Sequence, residues 1–212
     1  MDETAQVGGN ELLLNGAGVR TNMAFKVYVA ALYLTQKQTD ANTVISDTSN
    51  KRVSMHFLRE LSSENLLHGM NEGIADSNSA AEMEAIDSQM KAFRQMMTPV
   101  KALKEGDVIL LYFTSAGKQV TVNSKALGNI EGTAFNRALL RVWLGLKPVD
   151  VWLKKVMLGN KLPLQLKSQM HLPFKVCKKL FALHYCMFFI QPRAFHLHVR
   201  GKRLALCFNI NQ

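Results

Sequence analysis

The clearest hydrophobic pattern in the chain runs over residues 24–35. There Phe25, Val27, Val29, Ala31 and Tyr33 share one side of an extended segment, and Tyr28, Ala30, Leu32 and Leu34 share the other. Both sides are apolar, so the pattern predicts a long strand covered on both faces, with Lys26 near its entrance. A short strand is expected at 12–14, a short helix at 39–46, and another strand at 52–58 with Val53, Met55 and Phe57 on one face and His56 on the other. Helical spacing then takes over. Ser62 can cap a helix whose apolar positions are Leu66, Leu67, Met70 and Ile74. Ser79-Ala80-Ala81-Glu82 has the form of a capping box, and behind it Met83, Ile86, Met90, Phe93 and Met97 recur as one amphipathic helix that stops at Thr98-Pro99. Glu105-Gly106-Asp107 turns into a strand at 108–113, which Ser115-Ala116-Gly117-Lys118 returns into a partner at 119–122. Gly132-Thr133 opens a helix through Phe135, Ala138, Leu139, Val142 and Trp143 that ends at Gly145, and Pro148 begins a last one reaching about residue 158. This order is not βαβ alternation, so the fold class is α+β with an antiparallel sheet.

Candidate chemistry centres on Asn15-Gly16-Ala17-Gly18-Val19-Arg20-Thr21, read as a small-residue turn that delivers one arginine to the mouth of the long strand. A guanidinium presents a planar fork that matches a carboxylate, and a tyrosine hydroxyl such as that of Tyr28 can donate to the same anion. The bland alternative has Arg20 pairing with a local carboxylate or carbonyls to brace the turn, Tyr28 packing as an ordinary strand tyrosine, and Thr21 serving the turn. Other signals carry less. Gly16-Ala17-Gly18 lacks the third glycine of a dinucleotide fingerprint and leads into a strand. His56 and His68 lack cysteine or aspartate at ligand spacing, and the stripe of Met83, Met90 and Met97 reads as core. No nucleophile elbow, Walker, EF-hand or zinc spacing occurs, so neither a cofactor nor a metal is expected.

The formal charge of +10 points first to nucleic acid, but its distribution redirects that reading. All sixteen acidic residues lie at or before Asp150, so residues 1–160, with seventeen Lys and Arg, are close to neutral. Residues 161–212 hold nine basic residues, no acid, all three cysteines and four of the six histidines. The body, 1–160, is therefore not expected to bind nucleic acid. The remainder has two readings: a basic tail that touches anionic surfaces, or non-native sequence such as translation in a shifted frame beyond Asn160, poorly ordered in either case. No run of about 18 apolar residues occurs, so no transmembrane helix is predicted. Met1-Asp2-Glu3-Thr4 has neither a basic nor an apolar leader region, so no signal peptide is read here. The body has no cysteine and gives no reading of redox compartment.

Taken together, Leu14 to Thr21, the strand Tyr28…Leu32-Tyr33-Leu34, the turn Lys104-Glu105-Gly106-Asp107, and Ala138-Leu139…Trp143-Leu144-Gly145…Pro148-Val149-Asp150 resemble the bacterial chalcone-isomerase-like family. The resemblance runs in order from about residue 6 to 159, and nothing after it matches. Family members usually carry an export signal and one more strand ahead of the equivalent of Asp2, so the N-terminus here is expected to be trimmed and the protein exported, in a bacterium periplasmic. The resemblance implies an open-faced β-sandwich: a large antiparallel sheet, a covering helical layer and a ligand cleft between them. True chalcone isomerases add a phenolate to an enone within one molecule, using an arginine, a strand threonine, a helix tyrosine and asparagine, and a polar residue near the C-terminal helix. Arg20 matches the arginine, whereas Tyr28 falls at the threonine, Asn78 and Ala85 at the helix pair, and Val142 at the last position. The Arg20 and Tyr28 pair is instead similar to the fatty-acid-binding branch, where two such residues hold a carboxylate. The expectation is a non-catalytic binding domain for a small apolar anion, a fatty acid or a flavonoid-like molecule, with Arg20, Tyr28 and Thr21 at the site. The alternative is an isomerase acting on an enone, with Arg20 steering an oxyanion and Tyr28 polarising a carbonyl.

Overall fold

The computed structural model describes residues 2–114 and 117–160, together with the backbone of 198–199 and 202–203. The chain separates into two compact units, Met1–Pro163 and Leu164–Gln212. In the second, the described residues are two short antiparallel strands, β10 (His198–Val199) and β11 (Lys202–Arg203). The expectations for a basic or non-native tail over 161–212 otherwise lie outside the described residues.

The first unit is built on one seven-stranded antiparallel sheet in the order β1 (Thr4–Val7), β2 (Asn10–Asn22), β3 (Phe25–Leu34), β4 (Lys51–Phe57), β7 (Val108–Thr114), β8 (Gly117–Val122) and β9 (Lys125–Ile130). The α+β class and antiparallel sheet expected from the sequence are observed. Strand β3 behaves as its pattern predicts. Tyr28, Ala30, Leu32 and Leu34 enter the main core against the helices, while Ala31 and Tyr33 join Ala5, Val7 and Leu12 in a smaller cluster behind the sheet. Strand β1 curls over that back face, where Tyr33 donates its hydroxyl to the Asp2 carbonyl and the Arg52 guanidinium lies 4.1 Å above the Tyr33 ring.

The helical layer enters between β4 and β7, two strands that are themselves paired. It comprises α2 (Ser63–Ser77), α3 (Ala80–Ala85) and α4 (Asp87–Met97), tied at its base by the short pair β5 (Leu61–Ser62) and β6 (Ala102–Leu103). Ser62 caps α2, and Ser79 with Glu82 forms a complete capping box on α3. Helices α5 (Thr133–Leu144) and α6 (Val151–Met157) complete the layer, and α1 (Ala41–Ser46) lies between β3 and β4 in the chain. Phe135, Leu139 and Trp143 of α5 are fully buried.

Three expectations need correction, and two strands went unread. The glycine stretch is not a turn: residues 15–21 continue one 13-residue strand paired with β3, bulged at Asn15 and again between Arg20 and Thr21. Its glycines serve close approach instead. A Cβ on Gly16 would stand 1.9 Å from the Val156 carbonyl oxygen, and one on Gly18 would stand 2.2 Å from a Val156 methyl, so both are needed for α6 to lie on β2. The single helix expected from Met83 to Met97 breaks at Ile86, whose backbone leaves the helical region (φ −113°, ψ 8°) while its side chain remains buried. The last helix begins at Val151 rather than Pro148, because Asp150 caps it. Strands β1 and β9 were not legible in the alternation; β9 follows from Asn123 and Ser124, both at positive φ, as a mirror-type two-residue hairpin turn requires.

Candidate functional site

The site starts from a register. Arg20 on β2 lies directly opposite Tyr28 on β3, and directly opposed residues project from the same face of a sheet. That face is the one covered by helices, so both side chains point between the sheet and α2. There they line a cavity of about 580 Å³, together with Val27 of β3, Leu66 and Met70 of α2, and Val142 of α5. Its volume falls within the roughly 300–1,000 Å³ of small-molecule sites. Phe25 and Arg59 stand at its edge, the guanidinium 4.6 Å above the ring.

Tyr28 is buried, and its oxygen accepts a hydrogen bond of 3.1 Å from the indole N–H of Trp143. Burial raises its pKa above the ordinary phenol value; the Trp143 bond and the neighbouring Arg20 guanidinium oppose that shift without cancelling it. The phenol therefore keeps its proton at neutral pH. Because an indole N–H can only donate, the Tyr28 oxygen is held as an acceptor on that side and its proton is directed elsewhere.

Arg20 is partly buried. It donates to the Thr21 carbonyl and lies 3.9 Å from a carboxylate oxygen of Asp150. That carboxylate is already occupied: one oxygen caps α6 by accepting from the amides of Trp152 and Leu153, and the other accepts from the Thr21 amide at 3.2 Å. Asp150 thus orients the guanidinium from a distance, and the guanidinium also donates a hydrogen bond to Tyr28. A guanidinium offers five donors and no acceptor, so with Tyr28 it presents the cavity with hydrogen-bond donors.

Of the three residues expected at the site, the structure brings Arg20 and Tyr28 together and leaves Thr21 off the cavity wall, its backbone bonded to Asp150. Asn78 ends α2, donates to the Ile74 carbonyl and accepts from Arg141; neither it nor Ala85 lines the cavity, whereas Val142 does. His68 lines the rim and pairs with Glu72 at 3.1 Å, both exposed. Sequence reasoning missed Trp143 and Asp150 as supports of the pair and Arg59 as a second cation at the edge. Asp150 could have been found as an aspartate capable of capping the last helix, had its start been placed at Val151 rather than Pro148; the other two needed the tertiary structure.

A curled antiparallel sheet, helices laid on one face and an arginine–tyrosine pair in the cavity between them define an α+β domain with an internal cavity. The family model described as chalcone isomerase-like matches residues 1–159, and the chain belongs to that family. Among solved structures, the crystal structure of a fatty-acid binding protein from Arabidopsis thaliana aligns with a TM-score of 0.54 at 13% identity, covering 74% of this chain and 96% of that one. At that identity the likeness is one of fold. Comparison with curated proteins gives no match.

Proposed function

We propose that the first unit is a non-catalytic binding domain for a small apolar anion, a long-chain fatty acid being the class that fits. The observation that carries this reading is the donor pair, Arg20 beside a protonated Tyr28, on the wall of a cavity whose apolar side is formed by Val27, Leu66, Met70 and Val142 and whose polar side includes Asn65, Glu60 and Glu72. Burying about ten methylenes contributes about 8 kcal/mol before ordering costs, and each hydrogen bond to a charged group adds about 1.5–3 kcal/mol. The cavity then sets affinity and Arg20 sets orientation. The fold shared with a fatty-acid binding protein is consistent with this assignment. Isomerase chemistry has less support: Asn78 is engaged with Arg141, Ala85 lies off the wall and Val142 is apolar, so Arg20 and Tyr28 stand without further polar partners from those positions. An exported setting in a bacterium rests on the family resemblance alone.

The test is extraction of the purified protein under denaturing conditions followed by mass spectrometry, with calorimetric titration of the delipidated protein. A released long-chain acid and saturable binding are expected. Arg20→Gln should weaken that binding by about 10- to 150-fold, the loss of one charged hydrogen-bond partner. An empty protein that takes up no added acid rejects the reading.

A further inference from the structure

We propose that the β2–β3 hairpin tip at the cavity mouth docks on a bilayer surface carrying anionic headgroups. The two-residue turn Met23-Ala24 closes the hairpin, with Asn22 paired to Phe25. Met23 adopts φ 53°, a conformation for which hairpin turns ordinarily take glycine or asparagine, and its side chain is 94% exposed. An exposed methionine in a strained position gains nothing from the fold; it is a feature of the surface. Phe25, 58% exposed, and Leu58 stand beside it, since the Leu58 amide bonds the Val27 carbonyl. Asp150 ties the start of α6 to Thr21 of the same hairpin, which brings exposed Val151 and Trp152 to this end. Five of the seven exposed large apolar side chains among the described residues therefore gather around one opening.

The charges there complement an anionic surface. Lys26 follows Phe25, Arg59 lies over the Phe25 ring, and Lys155 lies 4.4 Å from the Trp152 ring; of the acids, Glu60 and Glu72 are exposed, Glu72 beside His68 across the opening on α2, and Asp150 is occupied by Thr21 and the α6 cap. Apolar tips flanked by cations and an amphipathic indole are what a headgroup–acyl boundary accommodates. Phe25 belongs both to this tip and to the cavity wall, so an acyl chain leaving a bilayer would pass a single ring to enter. The occupant's entry rests on the fatty-acid reading; the docking itself does not.

The experiment uses the full chain with vesicles of phosphatidylcholine and phosphatidylglycerol carrying brominated acyl chains. Tryptophan is placed either at the tip (Met23→Trp) or at Leu13 (Leu13→Trp), which lies on β2 nine residues before Asn22. Bromine quenching above the level of the unsubstituted protein is expected for Met23→Trp and not for Leu13→Trp, which separates tip insertion from attraction by residues 161–212. Met23→Ser combined with Leu58→Ser should lower vesicle partition about tenfold in high salt, where apolar insertion persists and charge attraction is screened. Equal quenching at both sites, no added quenching at either, or partition unchanged by the serine pair overturns the proposal. So does a concentration-dependent dimer that the serine pair abolishes, which would make the tip a self-interface. Neither Met23 nor Leu58 lines the cavity, so acid binding in solution should survive these changes. Its absence from the unsubstituted protein would count against the fatty-acid reading and leave docking to be judged by quenching alone.

Discussion

Two buried polar side chains show how differently a single residue can be held. Tyr28 is satisfied: Trp143 donates to its oxygen deep in the core. Tyr28→Phe removes the acceptor and leaves that indole N–H buried and unpaired, which costs about 1–3 kcal/mol in stability. Urea unfolding should register the loss without ligand, and a variant as stable as the parent would show that the indole finds another partner. Lys118 is the opposite case. It is fully buried on β8, its ammonium group has no hydrogen-bond partner among the described residues, and it lies 3.7 Å from the centre of the Phe135 ring. Contact with a ring face offsets about 2 kcal/mol of desolvation, less than the burial of an ammonium group costs. Burial therefore holds the Lys118 amine well below its ordinary value of 10.5. Between that depressed value and 10.5 the unfolded chain binds more protons than the folded one, so stability rises with pH across this window and is flat below it. Lys118→Met should be more stable at pH 7 by about 1–4 kcal/mol and should lack the rise. Denaturation series from pH 7 to 10 test this, and equal slopes for the two proteins would refute it.

At the scale of elements, helices α6 and α2 meet their neighbours in contrasting ways. Helix α6 lies so close to β2 that Gly16→Ala would drive a methyl into the Val156 carbonyl. The expected result is a loss of about 1–3 kcal/mol or more, with Asp150 carried away from Thr21 and Arg20. Gly69 on α2 lines the cavity, and a Cβ there meets nothing within 4 Å. Gly69→Ala should accordingly stabilise the helix by about 0.8–1 kcal/mol while taking room from the cavity. Thermal melts paired with acid titrations separate the two effects, and a destabilised Gly69→Ala protein would contradict them. The same contrast marks what the sequence could show. Period-two alternation located β3 and β4, and side-chain caps located the starts of α2 and α3, because those signals are local. The glycines at 16 and 18 were seen but misassigned: a turn and a close helix contact both call for glycine, and only the partner, Val156, about 140 residues away, decides between them. Arg20 and Tyr28 were legible as chemistry; their direct opposition was not, because a bulge at Asn15 and another after Arg20 set the register.

The whole molecule joins a nearly neutral unit to a segment of different composition. Nine basic residues and no acid in 161–212 predict binding to duplex DNA or anionic vesicles that weakens steeply as salt rises. Filter binding or flotation across a salt series measures this, and affinity indifferent to salt would dismiss charge as its origin. Within the first unit, the course of the chain separates two jobs. Strands β4 and β7 bond to each other directly, and the stretch carrying α2 to α4 leaves from one and returns to the other through the Leu61–Leu103 clasp. That stretch is a detour, and the sheet's ladder does not depend on it. The roof over the cavity can change in length, bulk or polarity while Arg20 and Tyr28 remain anchored in the floor. A scaffold divided in this way can exchange what it encloses, a flat ring system for a flexible chain, without being threaded anew.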